Sequence, residues 1–205
     1  MKKFIKSNTK LISQHISTQF AFALLGLLLF TVAMRDDVFL FFAALFSVAF
    51  YLFLIYTAAW DSGAKQRIKD TGASGAKNAD RKNALKGSIV LMLLINAHNI
   101  LLVLAYSICK VIYLTSTATF EGTAVTIGNL SHVILKFIWG MFTGFEMLLF
   151  PDPNQGLTER VFELPPMNTS AFFYIAVLIL IIAAGTAGFM LGYEEKFGFM
   201  TKPKE

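Results

Sequence analysis

Three long stretches of this chain contain almost no charge. Residues 38–60 carry no Lys, Arg, Asp or Glu, residues 88–114 carry only Lys110, and residues 170–193 carry none. A helix rises about 1.5 Å per residue, so each stretch can cross a hydrocarbon core of about 30 Å. A fourth stretch, 12–34, follows a basic head and is also long enough. Inside lipid every backbone amide must be satisfied within its own segment, which makes helices the spanning form for runs this apolar. With 56% hydrophobic and 15% charged residues, the chain lacks the polar surface to cover a water-soluble core. It reads as an all-α integral membrane protein: one transmembrane domain over 1–205.

The segments between the spans are polar and unequal. The head contains Lys2, Lys3, Lys6 and Lys10. Together with the apolar run and Thr31-Val32-Ala33 it has the outline of a signal peptide. The next span starts a few residues later, however, as in a tight helical hairpin turning on Arg35, Asp36 and Asp37. Tyr56 and Trp60 end the second span and suit an interfacial aromatic belt. Residues 61–87 form a basic loop with Gly63, Gly72, Gly75 and Gly87, and a short helix is expected over 62–70. Residues 115–130 read as a Thr-rich linker. Residues 151–169 read as a loop containing Pro151, Pro153, Pro165 and Pro166.

Topology turns on residues 131–150. Of the 18 Lys and Arg, 14 lie in the head, in the 61–87 loop or in the tail. Basic residues in short loops stay cytoplasmic. All 14 share the cytoplasmic side only if 131–150 does not cross. The expected architecture is therefore a polytopic transmembrane helical bundle of four spans plus one amphipathic or re-entrant helix, with both termini cytoplasmic. The alternative is five spans. On a straight helix His132, Lys136, Gly140, Thr143 and Glu146 share a stripe about 120° wide, which suits an interfacial or re-entrant helix. Lys136 and Glu146 then lie about 15 Å apart along the axis and do not pair.

The third span supplies the polar candidates. Asn96, His98 and Asn99 fall roughly 12–17 Å from Ser88, near the bilayer middle. Asn96 and Asn99 share a face with Tyr106 and Lys110, while His98 points away from it. These residues line a solute path, or the asparagines bond neighbouring helices at about 0.6 kcal/mol per contact. Glu146 joins the candidate lining as a proton or cation carrier if its segment crosses. Gly140 and Gly144, and Ala184, Gly188 and Gly192, have the small-residue spacing that lets helices approach closely, within this chain, in a homo-oligomer or against another subunit of a membrane complex. Lys65, Arg67, Lys69, Arg81 and Lys82 are candidates for contact with anionic headgroups or a soluble partner.

Chemistry-bearing motifs are few. His15, His98 and His132 fall at different depths, and the chain lacks HExxH, so no metal is expected. Cys109 is the single cysteine and reads as a small apolar packing residue. The stretch Asp61-Ser62-Gly63-Ala64-Lys65 lacks the spacing of the phosphatidyltransferase metal motif. Phe199 stands where the pattern of prenyl-protein proteases, which starts from paired glutamates like Glu194-Glu195, wants Arg. Neither a P-loop nor GxSxG is present. No catalytic residue, cofactor or nucleic-acid partner is expected. The net charge of +5 belongs to topology, and Lys outnumbers Arg 14 to 4.

Trp60-Asp61-Ser62-Gly63-Ala64-Lys65 at the end of one span, then Leu85-Lys86-Gly87 opening the next with Asn96 and Asn99 inside it, resembles small polytopic membrane proteins of Gram-positive anaerobic bacteria over residues 50 to 105. The resemblance implies a membrane class and a bacterial inner membrane, with no assigned activity. The expected function is a non-enzymatic transporter or channel component, or an accessory subunit of a membrane complex. The alternative is a membrane-embedded enzyme acting on lipid or prenyl-carrier substrates.

Overall fold

A computed structural model of the chain describes residues 8–33, 36–72, 81–115, 121–150 and 169–194. Among these residues there are seven helices and no strand: α1 Thr9–Ala33, α2 Asp37–Gly72, α3 Arg81–Ile95, α4 Ala97–Thr115, α5 Glu121–Ile138, α6 Gly140–Leu149 and α7 Ala171–Tyr193. Four are long and apolar enough to cross a membrane: α1, α2 over 37–70, α4 and α7. Many of their large side chains point outward, including Leu28 at 67%, Leu101 at 67% and Phe172 at 82% exposure. Such a surface is stable only where lipid is the solvent. This is a membrane protein, with four apolar helices of spanning length and one bent pair.

Four features differ from the sequence reading. The second span does not stop at Trp60, because α2 continues to Gly72 and absorbs the short helix expected over 62–70. Ala64, Lys65, Gln66, Arg67 and Lys69 favour the helix through the middle of this extension, and Lys65–Asp61 and Gln66–Asp70 bond at i,i+4 spacing. The third span is interrupted at Asn96, where the side-chain amide donates to the Met92 carbonyl at 2.9 Å and shares that acceptor with the Asn96 backbone N–H at 3.1 Å. The linker expected over 115–130 is largely helical, since α5 begins at Glu121. The single helix expected over 131–150 is two helices, turned by 116° at Trp139. Asp36 starts α2 by accepting from the backbone N–H of Val38 at 2.8 Å, as an N-cap does. The head before Asn8, the segment 73–80 with Lys77, most of the Pro-containing loop and the tail beyond Glu194 lie outside the described residues.

The described residues fall into two compact units. One comprises residues 8–18, 52–72, 81–96 and 180–194 and is built on Leu11, Ala59, Leu91, Met92, Ile95 and Phe189. In this unit the predicted small-residue face of α7 meets the backbone of α2. A Cβ on Gly188 would lie 2.5 Å from the Tyr56 carbonyl oxygen, and one on Gly192 would collide with the Trp60 carbonyl. Ala184, one turn earlier, is half-buried. Polar bonds fasten the end of the pair. Arg67 Nη1 donates to the Tyr193 carbonyl at 3.0 Å, Tyr193 OH donates to Asp70 at 3.2 Å, and Arg81 pairs with Glu194 at 2.7 Å. Lys69 and Lys82 are exposed.

The other unit comprises residues 19–51, 97–115, 121–150 and 169–179. Phe30, Ala33, Leu40, Ala43, Ala44 and Met147 form its apolar cluster, and α4 lies against α5. The elbow at Trp139–Gly140 is pressed directly against α1. A Cβ on Gly140 would stand 2.5 Å from the Ala23 carbonyl oxygen, and one on Gly26 would stand 2.5 Å from the Gly140 carbonyl carbon. Gly144 faces Phe30 and Ala44 just as closely. Small residues therefore let α1 reach the backbone at the point where the bent pair turns.

Gly140→Val fills space occupied by backbone. It should lower the stability of the detergent-purified protein by ~1–3 kcal/mol, read as an earlier thermal transition. Gly122→Ala, where a Cβ meets no atom within 4 Å, should leave that transition in place.

Candidate functional site

Four segments of the second unit deliver polar side chains to one buried spot. Tyr106 and Lys110, one turn apart, project from the same face of α4, and His132 and Lys136 do the same on α5. Because the chain turns by 116° after α5, α6 brings Glu146 back over that face. Thr169 stands just before α7, and Tyr174 lies in its first turn.

A single atom, Glu146 Oε1, is the focus. Tyr174 OH donates to it at 3.1 Å, His132 Nε2 lies 3.1 Å away and Lys136 Nζ 3.3 Å away, and the Thr169 hydroxyl also donates to it. The pairing of Lys136 with Glu146 overturns the 15 Å separation expected for a straight helix. The elbow folds the polar stripe onto itself, so positions on one axis become neighbours across a turn. Thr169 also works through its backbone. Its carbonyl accepts from Tyr106 OH at 2.6 Å and from Lys110 Nζ. The site is enclosed by rings: Tyr106 lies 5.2 Å from His132 and 5.1 Å, edge to face, from Tyr174, and Trp139 lies 5.8 Å from Tyr174.

Burial is nearly complete. Glu146 is 3% exposed and His132 1%, while the Lys136 side chain keeps 21%. Isolated charges in such surroundings cost several kcal/mol each, and close opposite charges with further donors offset that cost. Glu146 receives that treatment. The site nonetheless holds two ammonium groups and one carboxylate, a formal +1 when His132 is neutral.

This geometry limits the chemistry. A nucleophilic triad needs its hydroxyl on one imidazole nitrogen and its carboxylate on the other. Here Thr169 Oγ1 and Glu146 Oε1 both lie 3.1 Å from Nε2, and Nδ1 is buried without a hydrogen-bond partner. His132 therefore cannot pass a proton from Thr169 to Glu146 through its ring. Among the described residues no group of three or more His, Cys, Asp or Glu could hold a metal ion. Cys109 is buried. What the arrangement can do is bind and release a proton, or attract and repel charge.

The sequence-predicted candidates are placed as follows. Glu146 is at the centre of the cluster. Asn99 is fully buried in the same unit, where its Oδ1 accepts from Gln19 Nε2 at 3.1 Å. Asn96 is fully buried in the first unit and bonds Met92, and His98 is exposed, about 100° around its helix from Asn99. Gly140 and Gly144 pack against α1 and α2 beside the elbow. Of the basic candidates, Lys65 pairs with Asp61, Arg67 closes α7 and Arg81 meets Glu194. Thr169 and Tyr174 were not anticipated. Their only signal was position, a hydroxyl at a span entrance and a phenol one turn inside it.

No protein-family model matches this chain, no curated protein is similar to it, and no solved structure resembles it.

Glu146→Ala leaves the Lys136 ammonium without its counterion and His132 Nε2 with Thr169 alone, and should destabilise the protein by ~3–5 kcal/mol in a reversible denaturation assay. Lys136→Ala should cost clearly less, because the lysine is partly exposed and Glu146 keeps three other contacts.

Proposed function

We propose that this chain is a non-enzymatic membrane protein, a transporter or channel component or an accessory subunit of a membrane complex, and that the Glu146 cluster is its working part. The observation that carries this reading is the convergence of Glu146, His132 and Lys136 in a unit lined by membrane-length helices. Ionisable groups at such places are costly and mark pathways for ions, protons or solutes. The arrangement of Thr169 and Glu146 on one imidazole nitrogen, and their burial, weigh against the enzymatic alternative.

The same reading places the chain in a bacterial cell membrane with both termini cytoplasmic. The charge count supports this, and so does the elbow. A ten-residue helix turned by 116° retreats about 6 Å along the axis of α5, which suits a re-entrant pair better than a fifth crossing. Cysteines introduced at Asn154 and Lys202, both outside the described residues, test it. Only the Asn154 site should react with an impermeant external thiol reagent, and reaction at Lys202 alone would establish five spans.

The functional test begins with purification in mild detergent and mass spectrometry of what accompanies the chain. A stoichiometric partner makes it an accessory subunit. A protein that purifies alone should move a solute or ion down a gradient in liposomes, and Glu146→Gln should abolish that flux at unchanged incorporation. Turnover of lipid or prenyl-carrier substrates by the lone protein would sink the proposal. Asn96→Ala and Asn99→Ala should lower abundance if those residues serve packing, and flux alone if they line the path.

A further inference from the structure

The site does not need a cavity to bind the smallest ligand. Its side chains already fill one another's surroundings, with Tyr106, His132, Glu146, Thr169 and Tyr174 all 0–3% exposed. A proton adds no volume. A metal cation would have to enter beside Lys110 and Lys136 with one carboxylate to hold it, and the nearby ammonium groups would repel it.

Two groups compete for that proton. His132 already faces its two partners through Nε2. A proton on Nδ1 would be a buried donor without an acceptor, which costs about 1–3 kcal/mol or more. Glu146 has no such difficulty. Once protonated it can donate to Thr169 Oγ1, because a hydroxyl rotates and both donates and accepts. The charged and titratable groups facing it are Lys136 and His132 from α5, Tyr174 from α7 and, through Thr169, Tyr106 and Lys110 from α4.

Protonation alone would raise the formal charge of the site from +1 to +2. Lys136 offers the compensation. Its side chain is 21% exposed, and a lysine stem can swing its ammonium toward water while staying packed along its length. Lys110 is held instead by the Thr169 carbonyl and stands 5.9 Å over the Tyr106 ring.

We propose that Glu146 is a proton-binding site that exchanges its proton against the ammonium of Lys136. A hydronium delivers the proton, an O–H bond forms on the carboxylate, water leaves, and the ion pair to Lys136 opens as the ammonium turns outward. The reverse step restores the pair. The formal charge of the buried site stays at +1 throughout. This deepens the transport reading and rests on it for its use: the proton becomes the coupling ion, and Lys136 reports its arrival.

Infrared difference spectroscopy of the purified full-length protein in lipid, titrated over the pH range in which it stays folded, tests the exchange. The expected result is a protonated-carboxyl band that grows as pH falls, vanishes in Glu146→Gln and changes frequency in Glu146→Asp. Lys136→Met should bring the band in at a pH higher by roughly 1–3 units, because the opposite charge opposing protonation is gone. Lys136→Arg keeps the charge and should titrate like the native protein, which guards against a misfolded methionine variant. Absence of the band in the native protein, or a band indifferent to Glu146→Gln, overturns the site. A midpoint unmoved in folded Lys136→Met overturns the exchange. Flux in liposomes without such a band would leave the transport reading standing and remove this one, and a band without flux would do the reverse.

Discussion

A carboxylate removed from water needs donors, and Glu146 collects its donors from three places in the chain. His132 and Lys136 come from the helix before the elbow, Thr169 from the entrance to α7 and Tyr174 from its first turn. None of these is a neighbour of Glu146 in sequence, so satisfying one oxygen draws α5, α6 and α7 together. Thr169 extends the constraint, because its carbonyl takes Tyr106 and Lys110 from α4. The elbow, the entry of α7 and, through Thr169, the polar end of α4 are thus tied to one carboxylate, and removing that carboxylate leaves a buried positive charge without its counterion.

The spans were legible because charge is excluded from lipid more reliably than any local propensity forms a helix. Runs without Lys, Arg, Asp or Glu located α2 and α7 to within a few residues over their apolar lengths, whereas the run 88–114, broken only by Lys110, covers the end of α3 and nearly all of α4. Their polar ends were not legible. Helix propensity and i,i+4 pairing carry α2 past Trp60, and hydropathy is blind to both. The stripe of His132, Lys136, Gly140, Thr143 and Glu146 was visible, and three of its members, His132, Lys136 and Glu146, do meet. Its meaning was not visible, since the period of 100° assumes a straight axis. Gly140 carried the missing information, but its spacing from Gly144 reads as helix contact. Only the tertiary approach of Gly26 and Ala23 shows that the contact falls on a turn.

The small residues do similar work in each unit. In one, Gly188 and Gly192 admit the carbonyls of Tyr56 and Trp60, and in the other Gly140 admits that of Ala23. Lipid gives helices no hydrophobic reason to associate, so close backbone contact and a few buried polar bonds supply the attraction. The chain spends its small-residue spacing on its own folding. The basic cluster divides in a comparable way: Arg67 and Arg81 close the end of α7, while Lys69 and Lys82 are exposed on the surface.

Stability alone does not account for the elbow. An apolar set of the same volume would pack there without desolvating any ion, and replacing buried ion pairs by such sets is often neutral or stabilising. The sequence instead places one carboxylate, two ammonium groups and an imidazole around a turn that Gly26 and Gly140 must be small to permit. A glutamate held only for packing would not need a partly exposed lysine among its partners, since Thr169, Tyr174 and His132 already reach the same oxygen. Lys136 is the partly exposed contact among them and the one that carries a full positive charge. A pair with that asymmetry is suited to opening, and the movement of a single proton is enough to open it.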